Sequence, residues 1–304
     1  MKKDKIAFIG CGLIGAGLAA NSLLTGHPTA LYDTCDLAII RDRIAAILTT
    51  FVENGVYTKE QAEEAASLAF YTNDMVAAVE GAVFVQESAP ERLEIKRSIY
   101  RTVQETCGRD VIIGSSASNI MTSTLQEGAL YPDRIVVGHP FNPSHLLPTI
   151  EVVVGKQTSQ ETVDFTKQIY SEMDKVPVVC LKDEVGYLVQ RINSQILETA
   201  IYLANNGYAS VEDIDKAIMY GPGMRLPLCG QLLSIGLGVA GGGWRALAQK
   251  YCGTDAPKEY LVVADGVDEE MAHRPAAIGN DVESIIKYRD KALIELQRVQ
   301  RRIP

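Results

Sequence analysis

Ile6-Ala7-Phe8-Ile9-Gly10-Cys11-Gly12-Leu13-Ile14-Gly15-Ala16-Gly17-Leu18-Ala19-Ala20 decides the fold. An apolar run of strand length enters a turn of glycines and continues into helix-compatible residues. The glycines allow a tight turn, close approach of backbone to a pyrophosphate and close helix-to-strand packing. The helix N-terminus, opened by Leu13 and Ile14, offers free N–H groups and a favourable dipole. The next strand ends at Asp33, eighteen residues past Gly15, where a carboxylate can accept hydrogen bonds from the adenosine ribose hydroxyls. Thr34 follows and no arginine is near in sequence to hold a 2′-phosphate, which favours NAD over NADP; FAD uses the same fingerprint. The plainer alternative is a glycine turn that only packs strand on helix. Strand, glycines, helix and acid falling in register weigh toward the cofactor.

Outward from this unit, the first half alternates β-rich runs with helical patterns, the signature of an α/β doubly wound sheet, parallel and covered by helices on both faces. Strands are expected over Lys5–Ile9, Thr29–Tyr32, Ala69–Tyr71, Ala82–Gln86, Val111–Gly114, Ile135–Gly138, Ile150–Val154 and Val176–Leu181. A helical hairpin is inserted after the second strand: one helix over Asp36–Asn54, another opened by the capping box Thr58-Lys59-Glu60-Gln61. From Tyr187 onward no alternating strand follows. Helices are expected over Tyr187–Asn206, Val211–Tyr220, with Ser210 and Asp213 as its cap, and Asp281–Arg301. The domain boundary is placed at residue 183, with a cofactor domain over 1–183 and an all-α domain over 184–304.

The 304 residues carry 29 basic and 38 acidic side chains, net −9, which disfavours a nucleic-acid or anionic-membrane partner. Six scattered cysteines argue against a zinc ribbon or disulfide scaffold, so a reducing cytoplasm is the default and no metal is expected. Ile6–Tyr32, behind Lys2, Lys3 and Lys5, resembles a signal peptide in hydropathy, but its glycines break such a core. Leu226–Trp244 is long enough to span a bilayer; Pro227 and its glycines make buried helix and turn the better reading.

A dehydrogenase needs a base for a hydroxyl proton and donors for the carbonyl oxygen that forms. Gly138-His139-Pro140-Phe141-Asn142-Pro143 ends a strand, where sites in open α/β sheets are built, and Glu151 lies in the next. Imidazole exchanges protons near neutral pH, and a carboxylate beside it fixes its tautomer. A hydrogen-bonded structural histidine and a surface glutamate are equally good readings of these two residues alone.

Taken with Gln86-Glu87-Ser88-Ala89-Pro90-Glu91-Arg92-Leu93-Glu94-Ile95-Lys96 and Ser115-Ser116-Ala117-Ser118-Asn119, these motifs resemble the 3-hydroxyacyl-CoA dehydrogenase family from residue 5 to about residue 240. The resemblance implies a Rossmann domain, a helical dimerisation domain, a homodimer, and NAD-dependent oxidation of a 3-hydroxyl. By position it implies His139 as catalytic base and Glu151 as its orienting carboxylate. Ser118 and Asn142 match residues that hydrogen-bond the substrate oxygen and the nicotinamide region, and Glu91 and Lys96 match positions lining the NAD site. On their own, Lys96 reads as a solvated helix face and Ser118 as a strand-end turn.

Within the family, the chain resembles the branch of L-carnitine dehydrogenase and lambda-crystallin (L-gulonate 3-dehydrogenase). The hairpin segment Thr34–Tyr71 holds six acidic and three basic residues, net −3, which suits polyanionic CoA poorly. Tyr220-Gly221-Pro222-Gly223-Met224-Arg225 looks like that branch's glycine-then-arginine motif, and a guanidinium can clamp a carboxylate through two parallel hydrogen bonds. Capping of helix-end carbonyls is the alternative for Arg225. Gln190 stands where acyl-CoA enzymes have an active-site asparagine, with Asn193 one turn on. Leu226-Pro227-Leu228-Cys229 replaces the branch's aromatic residues, which suit a quaternary ammonium. The expected reaction is oxidation of a small 3-hydroxy acid, L-carnitine- or L-gulonate-like, to the 3-keto acid. A 3-hydroxyacyl-CoA dehydrogenase and a non-catalytic NAD-binding protein are the rivals.

Overall fold

The computed structural model describes residues 3–238, 243–252 and 257–302. Contacts divide the chain into two units, Met1–Gln195 and Ile196–Pro304.

In the first unit, the strands β1 (Ile6–Ile9), β2 (Thr29–Tyr32), β3 (Ala69–Thr72), β4 (Phe84–Glu87), β5 (Ile112–Ser115), β6 (Ile135–Pro140), β7 (Thr149–Val153) and β8 (Val176–Cys180) form one sheet, ordered β3-β2-β1-β4-β5-β6-β7-β8. The helices α1 (Leu13–Leu24), α2 (Leu37–Glu53), α3 (Lys59–Ser67), α4 (Met75–Val79), α5 (Leu93–Cys107), α6 (Thr122–Gln126) and α7 (Gln160–Glu172) lie between them. Alternate strand residues feed two separate apolar clusters. Ile6 and Phe8 join Leu18, Ile40 and Tyr170 in one, while Ala7 and Ile9 join Val79, Tyr100 and Val137 in the other. Burial on both faces is why the inner strands β1, β4 and β5 read as apolar runs, while the edge strands β3 and β8 stay partly exposed. The capping box of α3 forms in both directions between Thr58 and Gln61.

One pair departs from the expected parallel order: β7 runs antiparallel to β6, with His139 directly opposite Glu151. Only residues 141–148 join these strands, fewer than the dozen or more a crossover requires, so the chain turns back. After α7, β8 runs parallel to β7, so these two strands point opposite to β1–β6.

Helix α8 (Leu188–Asn205) begins within the first unit. The second holds α9 (Val211–Tyr220), α10 (Pro222–Cys229), α11 (Gln231–Gly236), α12 (Gly243–Cys252), α13 (Lys258–His273) and α14 (Val282–Val299). Its core gathers Cys229, Leu233, Leu237, Trp244, Leu247, Ala264, Val267 and Ile285. Ser210 caps α9 by accepting from the Asp213 amide at 3.1 Å. The apolar stretch Leu226–Trp244 falls into the end of α10, then α11, and the start of α12; residues 239–242 of it lie outside the described residues. No helix among the described residues is long and apolar enough to cross a membrane.

His27 sits fully buried beneath the sheet's end, its Nδ1 3.0 Å from the Asp4 carbonyl and its Nε2 3.6 Å from Glu172. Burial outweighs the attraction of Glu172 and lowers its pKa from the ordinary 6.5. The folded state therefore resists a proton that the unfolded chain accepts. Its contribution is intact above pH 6.5 and stability drops as pH falls below that value, by up to about 1.4 kcal/mol per pH unit. Urea unfolding between pH 7.5 and 5.5 checks this: His27→Gln should flatten the slope, and an unchanged slope refutes it.

Candidate active site

The turn after β1 is built by sterics. Gly10 has φ +88°, and a Cβ there would lie 2.7 Å from the Ser88 carbonyl carbon and oxygen. A Cβ on Gly15 would fall onto the Gly10 carbonyl oxygen, whereas one on Gly12 would meet nothing within 4 Å. The loop is thus closed on its inner side and open at Gly12. Helix α1 starts with neither a side-chain cap nor an acidic residue in its first turn, and Leu13 is 78% exposed. Its first amides are left for a ligand. Asp33 Oδ2 accepts from the Cys11 amide at 2.7 Å and Oδ1 from the Thr34 amide at 2.7 Å, leaving lone pairs for ribose hydroxyls.

An arginine does approach this loop, although none is near in sequence. Arg43, on α2, donates from Nη1 to the Cys11 carbonyl at 2.9 Å, so the Cys11 peptide is gripped on its N–H by Asp33 and on its C=O by Arg43. The Cys11 thiol is buried and its pKa raised, by burial first and by the Asp33 charge second, so it stays protonated.

At the C-terminal end of the sheet, Glu87 anchors a buried network. Its carboxylate accepts from Lys96 Nζ at 2.8 Å, Tyr100 at 2.8 Å, Ser115 at 2.7 Å and the Ala89 amide at 2.7 Å. Lys96 is 1% exposed and also lies 3.5 Å from Glu91, so it is not the solvated helix residue it resembles in sequence. Breaking such a buried pair costs about 3–5 kcal/mol, which gives Lys96 a structural task first. Glu91 Oε1 in turn accepts from the amides of Ser118 and Asn119, each at 2.8 Å, and fixes the turn carrying Ser118.

The antiparallel pairing of β6 and β7 brings His139 Nδ1 to 3.0 Å from Glu151 Oε2. Glu151 is 1% exposed, and its other oxygen accepts from the Val189 amide at 2.8 Å. Val189 lies in the first turn of α8, where amides lack intrahelical partners; the helix end and the carboxylate satisfy each other. With Glu151 accepting from Nδ1–H, the other ring nitrogen of His139, Nε2, is the one that carries the lone pair in the neutral imidazole. The Tyr187 ring meets the imidazole at 5.4 Å between centroids and 65°.

The loop between the two strands is fastened to the cofactor helix. Ser144 Oγ donates to the Ile14 carbonyl at 3.0 Å, and Asn21 Nδ2 to that of His145 at 3.3 Å. Buried Lys175 donates to the carbonyls of Ser144 and Leu147, and burial lowers its pKa to about 8. Asn142, in this loop, is exposed and its amide makes no hydrogen bond among the described residues. Gln190 is exposed at a cavity of about 430 Å³ that Val185, Gly186, Arg191 and Ser194 also line. In the second unit, Arg225 lies exposed on α10, and its guanidinium makes no hydrogen bond or ion pair among the described residues, so it caps no carbonyl there.

A family model for the 3-hydroxyacyl-CoA dehydrogenase NAD binding domain matches residues 5–184, and one for the C-terminal domain of the same enzymes matches residues 186–276. The chain belongs to the 3-hydroxyacyl-CoA dehydrogenase family; it is an oxidoreductase and its cofactor is NAD. An L-carnitine dehydrogenase of Bacillus cereus is 32% identical over 303 residues, covering 96% of this chain and 91% of that protein. Among solved structures, 5-formyl-3-hydroxy-2-methylpyridine 4-carboxylic acid 5-dehydrogenase, an NAD+ dependent dismutase, aligns with a TM-score of 0.68 and 26% identity over 97% of this chain and 98% of that one. The 3-hydroxyacyl-CoA dehydrogenase of Archaeoglobus fulgidus shares the fold, with a TM-score of 0.69 and 24% identity over 98% and 99% of the two chains.

Proposed function

We propose that the protein oxidises the 3-hydroxyl of a small 3-hydroxy carboxylic acid, L-carnitine- or L-gulonate-like, to the 3-keto acid in the cytoplasm. The observation carrying this reading is the buried Glu151 held between His139 Nδ1 and the Val189 amide. The uncapped α1 terminus (Leu13, Ile14), the open face at Gly12 and the Asp33 carboxylate fit NAD, which when bound supplies the hydride acceptor. His139 Nε2 takes the hydroxyl proton, and Glu151 stabilises the imidazolium while holding its tautomer. The Ser118 hydroxyl and Asn142 amide polarise the substrate oxygen, and Gln190 contributes to substrate binding. Glu91 and Lys96 set the wall of the cofactor site.

A free acid, rather than a CoA thioester, is supported by the hairpin. Two of its three basic residues are already engaged, Arg41 stacking over Tyr71 with 4.2 Å to the ring centroid and Arg43 holding Cys11, and Lys59 sits beside Glu63 on an exposed helix face. The names of the Bacillus relative and the pyridine-carboxylate dehydrogenase also point to carboxylate substrates. Arg225, with its guanidinium uncommitted, is the residue we assign to the substrate carboxylate. A homodimer accords with α8, which buries none of its residues and exposes Leu188, Ile192, Ile196, Leu197, Ile201 and Tyr202.

NADH formation with carnitine, gulonate, 3-hydroxybutyrate and 3-hydroxybutyryl-CoA tests the reading; turnover of the thioester alone overturns it. In the same assay Arg225→Met should raise KM for the preferred free acid about 10- to 100-fold, the worth of a charge-assisted pair. An unchanged KM removes Arg225 from the site.

A further inference from the structure

Residues Asp183–Val189 reach Glu151, the His139 ring and the segment that carries Ser118. The Asp183 carboxylate accepts from the amides of Thr122 at 2.7 Å and Ser123 at 2.9 Å, capping α6 just beyond the Ser118 turn. The Tyr187 carbonyl accepts the first intrahelical bond of α8, from the Arg191 amide at 3.0 Å. Two residues on, Val189 holds Glu151.

Tyr187 itself is 3% exposed, with its ring in the apolar cluster that includes Ala117 and Val137. A buried phenol needs one acceptor for its proton. This one is shared between two, the carbonyls of Ala117 at 3.1 Å and Ile120 at 3.3 Å, which bracket Ser118 and Asn119. The ring of the same side chain packs on the His139 imidazole. From the other side, the Ser118–Asn119 amides are held by Glu91.

We infer that Tyr187 is a positioning residue: its hydroxyl fixes the turn bearing Ser118 in register with the imidazole on which its ring rests. The inference rests on the roles proposed for His139 and Ser118. A phenol that merely fills space needs neither the pair of carbonyls nor their placement on both sides of one turn. Hydrogen bonds worth of order 1 kcal/mol are enough to shift a turn's opening equilibrium severalfold, and small displacements of a reacting group are expensive in rate.

Tyr187→Phe deletes the hydroxyl and keeps the ring. Backbone hydrogen exchange over residues 117–120 should become about five- to tenfold faster, while kcat falls about tenfold and the NAD Kd stays within about twofold. Exchange and kcat both within about twofold of wild type overturn the inference. So does faster exchange with kcat unchanged, because the turn's position would then not matter to the reaction. So too does a loss of kcat accompanied by faster exchange throughout the chain, the mark of general destabilisation. If wild type turns over none of the four substrates, the proposed function fails, yet exchange at 117–120 still decides whether Tyr187 holds that turn.

Discussion

Replacing His139 with glutamine is expected to lower kcat about 1,000-fold, within the range that a positioned general base contributes. Glutamine still offers a hydrogen-bonding amide toward Glu151, so the β6–β7 pairing and the burial of that carboxylate persist. It has no nitrogen that accepts and returns a proton near neutral pH. The loss should appear equally in kcat and kcat/KM, as befits an interaction needed only in the transition state, with the NAD Kd within about twofold. Steady-state kinetics beside cofactor titration measures both. A fall of less than about tenfold would reassign the base.

The second large effect concerns the cofactor loop, where two neighbouring glycines should respond differently. In Gly15→Ala the new methyl falls on the Gly10 carbonyl oxygen, and a backbone atom at a closed turn has little room to move. Helix α1 must shift against β1, taking the Leu13 and Ile14 amides out of aim. We expect the NAD Kd to rise at least about 100-fold, together with a loss of stability of about 1–3 kcal/mol. In Gly12→Ala the methyl enters open space, so thermal stability should hold while NAD affinity falls. Calorimetric titration with thermal melts reads both quantities. A stable Gly15→Ala protein that binds NAD normally would refute this account of the turn.

Much of the fold is legible in the sequence because it is written in runs of side chains. Each strand is a short apolar stretch bounded by turn residues, and Thr58–Gln61 and Ser210–Asp213 announce their helices by spacing alone. The reversal of β7 is less visible, since a buried strand looks alike in either direction; the eight residues between β6 and β7 are the available signal. In the site, Gly10, Gly12, Gly15, Asp33, His139 and Glu151 stand out by type and order. The Val189 amide does not, because a backbone donor has no letter of its own. Arg43 reaches Cys11 from 32 residues away, a proximity made by the packing of α2 on α1. The depth of Lys96 is hidden too, since α5 is amphipathic and a lysine on it reads as solvent-facing until Glu87 is seen beneath.

The bond between Ser144 and the Ile14 carbonyl joins residues 130 apart in the chain. A Cβ on Gly17 would strike the Ser144 hydroxyl, so α1 and the loop between the two catalytic strands touch without slack. Lys175 and Asn21 pin the same loop from elsewhere. On the roles proposed above, the part of the protein that would locate the cofactor and the part that would locate the base are thus measured from one datum. The tolerance that matters for proton removal, the spacing between two reactants, is set by a glycine and a serine that take no part in the chemistry.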